Sequence, residues 1–243
     1  MGVHMQIYRP SALVNSESAR DVVVSASLAH PWRLARFSGD SQFTDVTIEM
    51  DTSGTPSKVF MGNVQDPGAY AWNKGNGQAK GLPGWRKVVK PRGFTDVRLE
   101  TVLQWIADQA GARIHVATRG QMMRTYSMSK GTAYQLVMKA LKDWRNDSLL
   151  TELDGGVLYV GPESACPLAV THALQLEYGE NIRRLEQVAS DRWKIITHLV
   201  PDLRLLNRLK IMHPLITGTV KVVGLVQSAS QNTCTEMEVV RVS

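Results

Sequence analysis

Apolar and polar residues alternate through much of the first ninety positions. Over 21–29, Val22, Val24, Ala26 and Leu28 fall on one face of a strand. Over 43–51 the alternation is cleaner, with Val46, Ile48 and Met50 opposite Thr47 and Glu49. The run 57–64 follows a turn-rich segment at 51–56, so these two strands are expected to pair as a hairpin. Half-polar alternation of this kind belongs to an antiparallel sheet with one wetted face.

At Phe94 the period changes. Leu99, Val102, Leu103, Ile106, Ala107 and Ala110 fall at helical spacing and predict one buried helical stripe. Thr95 or Asp96 is placed to cap its start, Gly111 sits at its C-cap, and a short strand at 113–117 leaves it. The same spacing returns at Ala133, Leu136, Val137, Ala140, Leu141 and Trp144, followed by a turn-rich gap and a strand at 156–160. Two helix-then-strand units therefore predict a small α+β element.

From Pro167 the pattern is again that of strands. Leu174, Leu176 and Tyr178 share a face, as do Trp193, Ile195, Thr197 and Leu199, and strands are expected over 207–213, 218–228 and 235–243. The order β, then α+β, then β, with frequent turns, favours barrels or sandwiches over a parallel sheet. The predicted fold class is mainly β with an α+β insert. The divisions are a first β unit at 1–93, helix–strand units at 94–163 and a second β unit at 164–243.

Composition changes this picture little. Apolar residues make up 43% and charged residues 21% of 243, which fits a globular chain and speaks against disorder. No apolar run approaches the roughly 18 residues of a membrane helix. The first residues lack the apolar core of a secretory signal, so folding in the cytoplasm is expected. Cys166 and Cys234 are too few for a disulfide framework and lack metal-site spacing. The net charge of +6 is moderate, and the basic residues read as spread along the chain.

The glycine-rich stretch 75–89 raises the question of a phosphate loop. Its Lys80 is followed by glycine and soon by Pro83, where a phosphate loop needs Ser or Thr and a helix start. It leads into a strand candidate, which also excludes a dinucleotide fingerprint. The six histidines form no paired motif on a helix face, and His198 and His213 merely bracket a strand turn. Glu100 and Asp108 lie on the solvent side of the first helix, and Glu152, Asp154, Glu177 and Glu186 lie beside turns, so no glycosidase pair is read. No catalytic residue, cofactor or metal is assigned. Trp72, Lys74, Lys80, Trp85, Arg86 and Lys87 mix aromatic and basic character, as single-strand nucleic-acid binding requires. No matching strand motif accompanies them. A long hairpin loop at 65–84, ordered by a protein neighbour, is preferred, and those six residues are the candidate protein interface.

Three stretches resemble a known family. Residues 94–114 are similar to the helix that follows the first barrel in baseplate hub proteins of contractile-tailed phages, the late-control protein D group and the hub half of type VI secretion spikes. Residues 131–161 resemble that family's next unit, a helix, a polar gap and a Gly-bounded apolar strand. Residues 199–242 resemble its final strands, with Pro201, Leu203, Gly218, Val222 and Val226 matching and the usual Pro-Gly replaced by Leu205-Leu206. The resemblance covers about 94–243. It implies two small tail-tube-type β-barrels per chain and a trimer forming a ring of six barrels that adapts a six-fold tube to a three-fold spike. The implied partners are two further copies, a separate spike protein, a tube or tube-initiator protein and the tape measure protein. The implied place is the virion baseplate, without a membrane, specific nucleic acid or enzymatic activity. Another tail-tube-like adaptor, such as a distal-tail protein, and a basic single-strand nucleic-acid-binding β protein remain the alternatives.

Overall fold

A computed structural model of the chain describes residues 11–38, 44–52, 55–64, 76–230 and 233–242. The first strands are β1 (Ser11–Val14), β2 (Glu17–Ser18), β3 (Arg20–Ser27), β4 (His30–Ser38), β5 (Asp45–Asp51), β6 (Ser57–Val64) and β7 (Asn76–Lys80). A middle unit holds β8 (Val88–Val89), β9 (Arg92–Val97), helix α1 (Leu99–Ala110), β10 (Arg113–Val116), β11 (Met123–Met128), β12 (Gly131–Thr132), helix α2 (Ala133–Asp143), β13 (Leu149–Leu153) and β14 (Val157–Gly161). The last strands are β15 (Thr171–Glu177), β16 (Ile182–Ala189), β17 (Arg192–Thr197), β18 (Arg208–His213), β19 (Ile216–Ala229) and β20 (Cys234–Arg241). The fold is mainly β with an α+β insert.

The apolar rows predict which faces are buried. Val46, Ile48 and Met50 of β5 enter one core with Val22 and Val24 of β3, Phe37 of β4 and Phe60 of β6. The hairpin expected at 51–56 joins β5 and β6 antiparallel. A second core gathers Trp193, Ile195, Leu209, Ile211, Val220, Val222, Met237 and Val239 from the last strands. Both helical stripes are buried in a third core, where α1 packs on α2.

One 13-stranded sheet runs through both β regions, in the order β16-β17-β20-β19-β3-β4-β7-β6-β5-β1-β2, with β15 and β18 continuing from β19. Within it the same topology occurs twice. The first module reads β3-β4-β7-β6-β5-β1 and the second β16-β17-β20-β19-β18-β15. Numbered by chain order inside each module, both are second-third-sixth-fifth-fourth-first. In both, the two end strands follow one another along the chain, so each path turns back towards its own start. The copies differ at one place: β1 runs antiparallel to β5, whereas β15 runs parallel to β18. The modules meet at a seam where β3 pairs antiparallel with β19, from Gly224↔Ser27 to Ala229↔Val22.

The insert extends over a longer stretch than 94–163. Leu82, Trp85 and Val89 already belong to its core, directly after β7. Its strands β10 and β14 pair in parallel, as two helix–strand units laid side by side do. Helix α1 is capped differently from expectation. Thr95 and Asp96 are held in β9, which pairs with β11, so Arg98 becomes the N-cap and supplies no side-chain hydrogen bond. Gly111 does adopt the left-handed C-cap, with φ 61°. Helix α2 carries a capping box that the sequence reading missed, formed by Thr132 and Gln135.

Leu206 stands where the family pattern has glycine, and it takes a glycine-like φ of 67° while fully buried. Its amide donates to Val222 O at 2.8 Å. Burial of the side chain in the second core offsets a backbone cost of roughly 1–2 kcal/mol. Leu206→Ala and Leu206→Gly lose the same packing, but only Gly relieves the strain. The Gly variant should therefore be the more stable of the two by about 1 kcal/mol, against the usual order. Urea midpoints of both variants check this, and an alanine variant at least as stable would refute it.

Candidate assembly surfaces

The three units are tied together by a group of charges in which Arg33, Glu152 and Arg204 are buried and Asp154 is half exposed. Arg33 points inward from β4, and its Nη1 donates to Val59 O at 3.0 Å and to Asp154 Oδ1 at 2.9 Å. Arg204, from the turn before β18, donates through Nε to Asp154 at 2.9 Å, through Nη1 to Pro201 O at 2.6 Å and through Nη2 to Lys58 O at 2.8 Å. Glu152 of β13 is 3% exposed and accepts from the Arg33 amide at 2.8 Å. The first module, the insert and the second module each contribute to this one cluster. The cavity beside it measures about 10 Å3, room for a water and not for a sugar.

Glu152 lies beside a turn, as its sequence position suggests, yet it is buried. Burial pushes its carboxyl up to about 7 despite the opposing pull of Arg33. The folded protein thus holds this proton more tightly than the unfolded chain. The resulting stabilisation is complete below the ordinary carboxylate range and is lost as pH rises through about 7. Asp154 is shifted the other way: its two arginines outweigh its burial and hold it below its ordinary value. Its contribution is lost only in stronger acid. Stability should fall by roughly 2–3 kcal/mol between pH 5 and pH 8 on account of Glu152, and Glu152→Gln should flatten that slope. Urea midpoints at both pH values measure it; an unaltered slope in the variant refutes it.

The glycine-rich stretch serves packing. Asn76–Lys80 is a strand, β7, paired with β4 and β6, so the expected loop at 65–84 does not extend past Gly75. A side chain at Gly81 would collide with the Glu152 carboxylate, and Gly84 turns the chain at φ 89°. That turn delivers Trp85 into the insert core at 1% exposure. Trp85 is therefore a core residue and leaves the candidate interface, because a fully enclosed indole cannot meet a neighbour. Trp72 and Lys74 lie outside the described residues. Lys80, Trp85 and Arg86 do come together, lining a pocket of about 70 Å3 with Trp32 and Tyr134. The Lys80 ammonium stands 5.7 Å from the centre of the Trp32 ring. Lys87 is exposed and its ammonium lies over Gly111, at the C-terminal end of α1.

Three surfaces escaped the sequence reading. A groove of about 440 Å3 crosses the seam, walled by Trp32 and Leu34 on one side and by Val188, Lys194 and Glu238 on the other. At the tip of the second module Tyr178, Met212 and Leu215 are exposed, with the Tyr178 ring edge-on to His213 at 4.8 Å. Finally, the basic residues are not evenly spread: residues 86–148 hold twelve Lys and Arg against five Asp and Glu, a local +7 that equals more than the whole chain's +6. All twelve are exposed. A charge count by segment would have found this.

Other expected features resolve simply. His198 contacts Arg183 at 2.7 Å and His213 contacts Tyr178, so the two histidines make separate contacts. No group of three metal-ligating side chains occurs among the described residues. Glu100, expected in solvent, accepts from the Gly120 amide at 3.1 Å and fastens the segment after β10 to α1. No helix among the described residues is long and apolar enough to cross a membrane.

No protein-family model matches the chain, and no protein of curated function does. Solved structures do. The 43 kDa tail protein of prophage MuSo2 from Shewanella oneidensis superposes with a TM-score of 0.69 at 11% identity, covering 96% of this chain and 97% of that one. A tail protein from Neisseria meningitidis MC58 gives 0.63 at 12% identity, covering 96% of each. The E. coli c3393 protein, a type VI secretion component described as similar to the T4 tail proteins gp27 and gp5, gives 0.59 at 8% identity, covering 100% of this chain and 76% of that one. At these identities it is the path of the chain that is shared, and that path is the fold of these phage tail proteins and of this type VI secretion component.

Proposed function

We propose that this protein is a structural baseplate hub of a contractile phage tail or tailocin, without enzymatic activity. Three copies form a ring of six modules that joins a six-fold tube to a three-fold spike. The observation that carries this reading is the duplicated strand order: one chain already holds two equivalent modules joined edge to edge. Three chains supply six such modules while keeping true three-fold symmetry, which is what a six-to-three adaptor needs. The likeness to tail proteins and to a type VI secretion component supports it. The partners in this reading are a spike protein, a tube or tube-initiator protein and the tape measure protein, in the virion baseplate after folding in the host cytoplasm.

Light scattering on the purified chain, alone and with the spike protein of the same particle, tests it. The expected result is three times 26.9 kDa, or a monomer that becomes a stable three-to-three complex with the spike. A monomer indifferent to the spike refutes the reading. The +7 segment favours one competing reading, a nucleic-acid surface. Its aromatic residues, however, are engaged with each other: Phe94 meets Trp105 at 5.5 Å and Tyr126 meets Trp144 at 4.6 Å. A nucleic-acid binder would lose single-stranded DNA affinity steeply between 50 and 200 mM salt, whereas a hub should show weak binding throughout.

A further inference from the structure

Three separate segments build the pocket of about 70 Å3 at the junction of the first module and the insert. Strand β4 supplies Trp32, whose ring meets Tyr134 of α2 edge-on at 5.0 Å. The turn after β7 supplies Leu82, with the enclosed Trp85 behind it. Leu82 is 2% exposed yet takes a left-handed φ of 53°, a strained backbone that shapes this wall. The Tyr134 amide donates to Trp85 O at 3.0 Å and fixes the first turn of α2 against the same turn. The walls are therefore in place before any ligand arrives.

Two cations, Lys80 and Arg86, line the same space. Among the described residues neither makes an ion pair, and no carboxylate lines the pocket. Glu152 stands behind Gly81, but it is bound to the Arg33 amide at 2.8 Å. Aromatic walls alone would suit a cationic guest. Here the Lys80 ammonium already stands 5.7 Å from the centre of the Trp32 ring, so such a guest would meet two like charges.

We propose that this pocket receives the carboxylate of an Asp or Glu side chain from a partner protein. Arg86 and Lys80 supply charged donors, and the aromatic walls and Leu82 cover the methylene stem. The space holds a few waters, or a carboxylate on a short stem. A chain terminus would have to bring its own side chain and amide into the same space. The surroundings also favour an acidic residue carried on a longer segment. Trp32 forms a wall of the seam groove as well as of the pocket, and Leu34 of that groove lies directly opposite Lys80 across β4 and β7. The charges around the groove are matched within the molecule, since Lys194 pairs with Glu236 and Arg192 with Glu238. An extended segment crossing these strands would set an apolar residue in the groove and its acidic residue beyond Trp32. This inference goes beyond the hub reading and does not depend on it.

Titration of the nitrogen-15-labelled full chain with glutamate capped at both ends as N-acetyl and α-methylamide tests the pocket. The readout is the Trp32 indole resonance, identified by its loss in Trp32→Phe. A saturable shift is expected, with capped glutamine at least about tenfold weaker because it lacks the charge. Capped glutamate should also bind at least about threefold more tightly than propionate, since its capped backbone extends over Trp32. Lys80→Gln and Arg86→Gln should each weaken binding at least about fivefold. Lys90→Gln, which removes an exposed cation of the insert outside the pocket, should not. No saturable shift, or equal binding of capped glutamine, overturns the proposal. Inorganic phosphate bound as tightly overturns the assignment to a carboxylate. Propionate or N-acetylalanine bound as tightly or more tightly makes a free acid or a chain terminus the ligand, which overturns the partner side chain. The comparison of ligands on the unmodified chain decides even if a variant does not fold. A monomer indifferent to the spike that still binds capped glutamate sinks the hub reading and leaves the pocket standing.

Discussion

Arg204→Ala should be among the most damaging single substitutions in this protein, costing roughly 3–5 kcal/mol. For a chain of this length that corresponds to a fall in Tm on the order of 10 °C. The residue is 9% exposed and its side chain reaches Asp154, Pro201 O, Leu203 O and Lys58 O. Truncation removes the side-chain donor of two carbonyls, Lys58 O and Pro201 O, and half of the pairing of Asp154, which then depends on Arg33 alone, whereas Leu203 O keeps a contact from Gln227 Nε2 at 3.4 Å. Replacing the pair by apolar residues, which often rescues a buried ion pair, should not rescue this one. The carbonyls of Lys58 and Pro201 would still lack the donor that Arg204 supplies. Calorimetry on Arg204→Ala, Arg204→Lys and the double variant Arg204→Met with Asp154→Leu tests the point. A double variant as stable as the parent would show that the ion pair, and not the carbonyl contacts, holds the units together.

Trp85→Ala should cost a similar 3–5 kcal/mol through loss of packing in the insert core. Trp85→Phe should cost distinctly less, because the indole Nε1 is buried without a hydrogen-bond partner and its removal strands nothing. Both losses should be independent of protein concentration. If the residue instead served an interface, the monomer would melt normally and only association would weaken. Melting curves at two concentrations at least thirtyfold apart separate the two roles.

Much of the sheet was legible along the chain because its inward rows are apolar. Val46, Ile48 and Met50, or Trp193, Ile195 and Thr197, announce their strands by alternation alone. Strands β4 and β16 were missed for opposite reasons. In β4 the inward row includes Arg33 and the outward row Trp32 and Leu34, so alternation by polarity points to no clear face. In β16 no residue is buried, so there is no inward row to see. The candidate interface was misjudged at Trp85 because a tryptophan among glycines and basic residues looks alike whether it faces a neighbour or the core of its own chain.

By itself the sequence determined the composition of the cores, both helical stripes and the order β, α+β, β, because each depends on periods of two or 3.6 residues within a short window. It also carried the resemblance to tail hub proteins. Only the tertiary structure decided that the two β regions share one sheet, that their strand orders repeat and that β3 and β19 form the seam. Those pairings join residues some two hundred positions apart through backbone hydrogen bonds, which every residue but proline offers alike and which leave no mark on side-chain pattern. The charge cluster at Arg33, Glu152, Asp154 and Arg204 belongs to the same class. Its members come from three separate units, and only their meeting buries Arg33, Glu152 and Arg204 and pairs both arginines with the half-exposed Asp154.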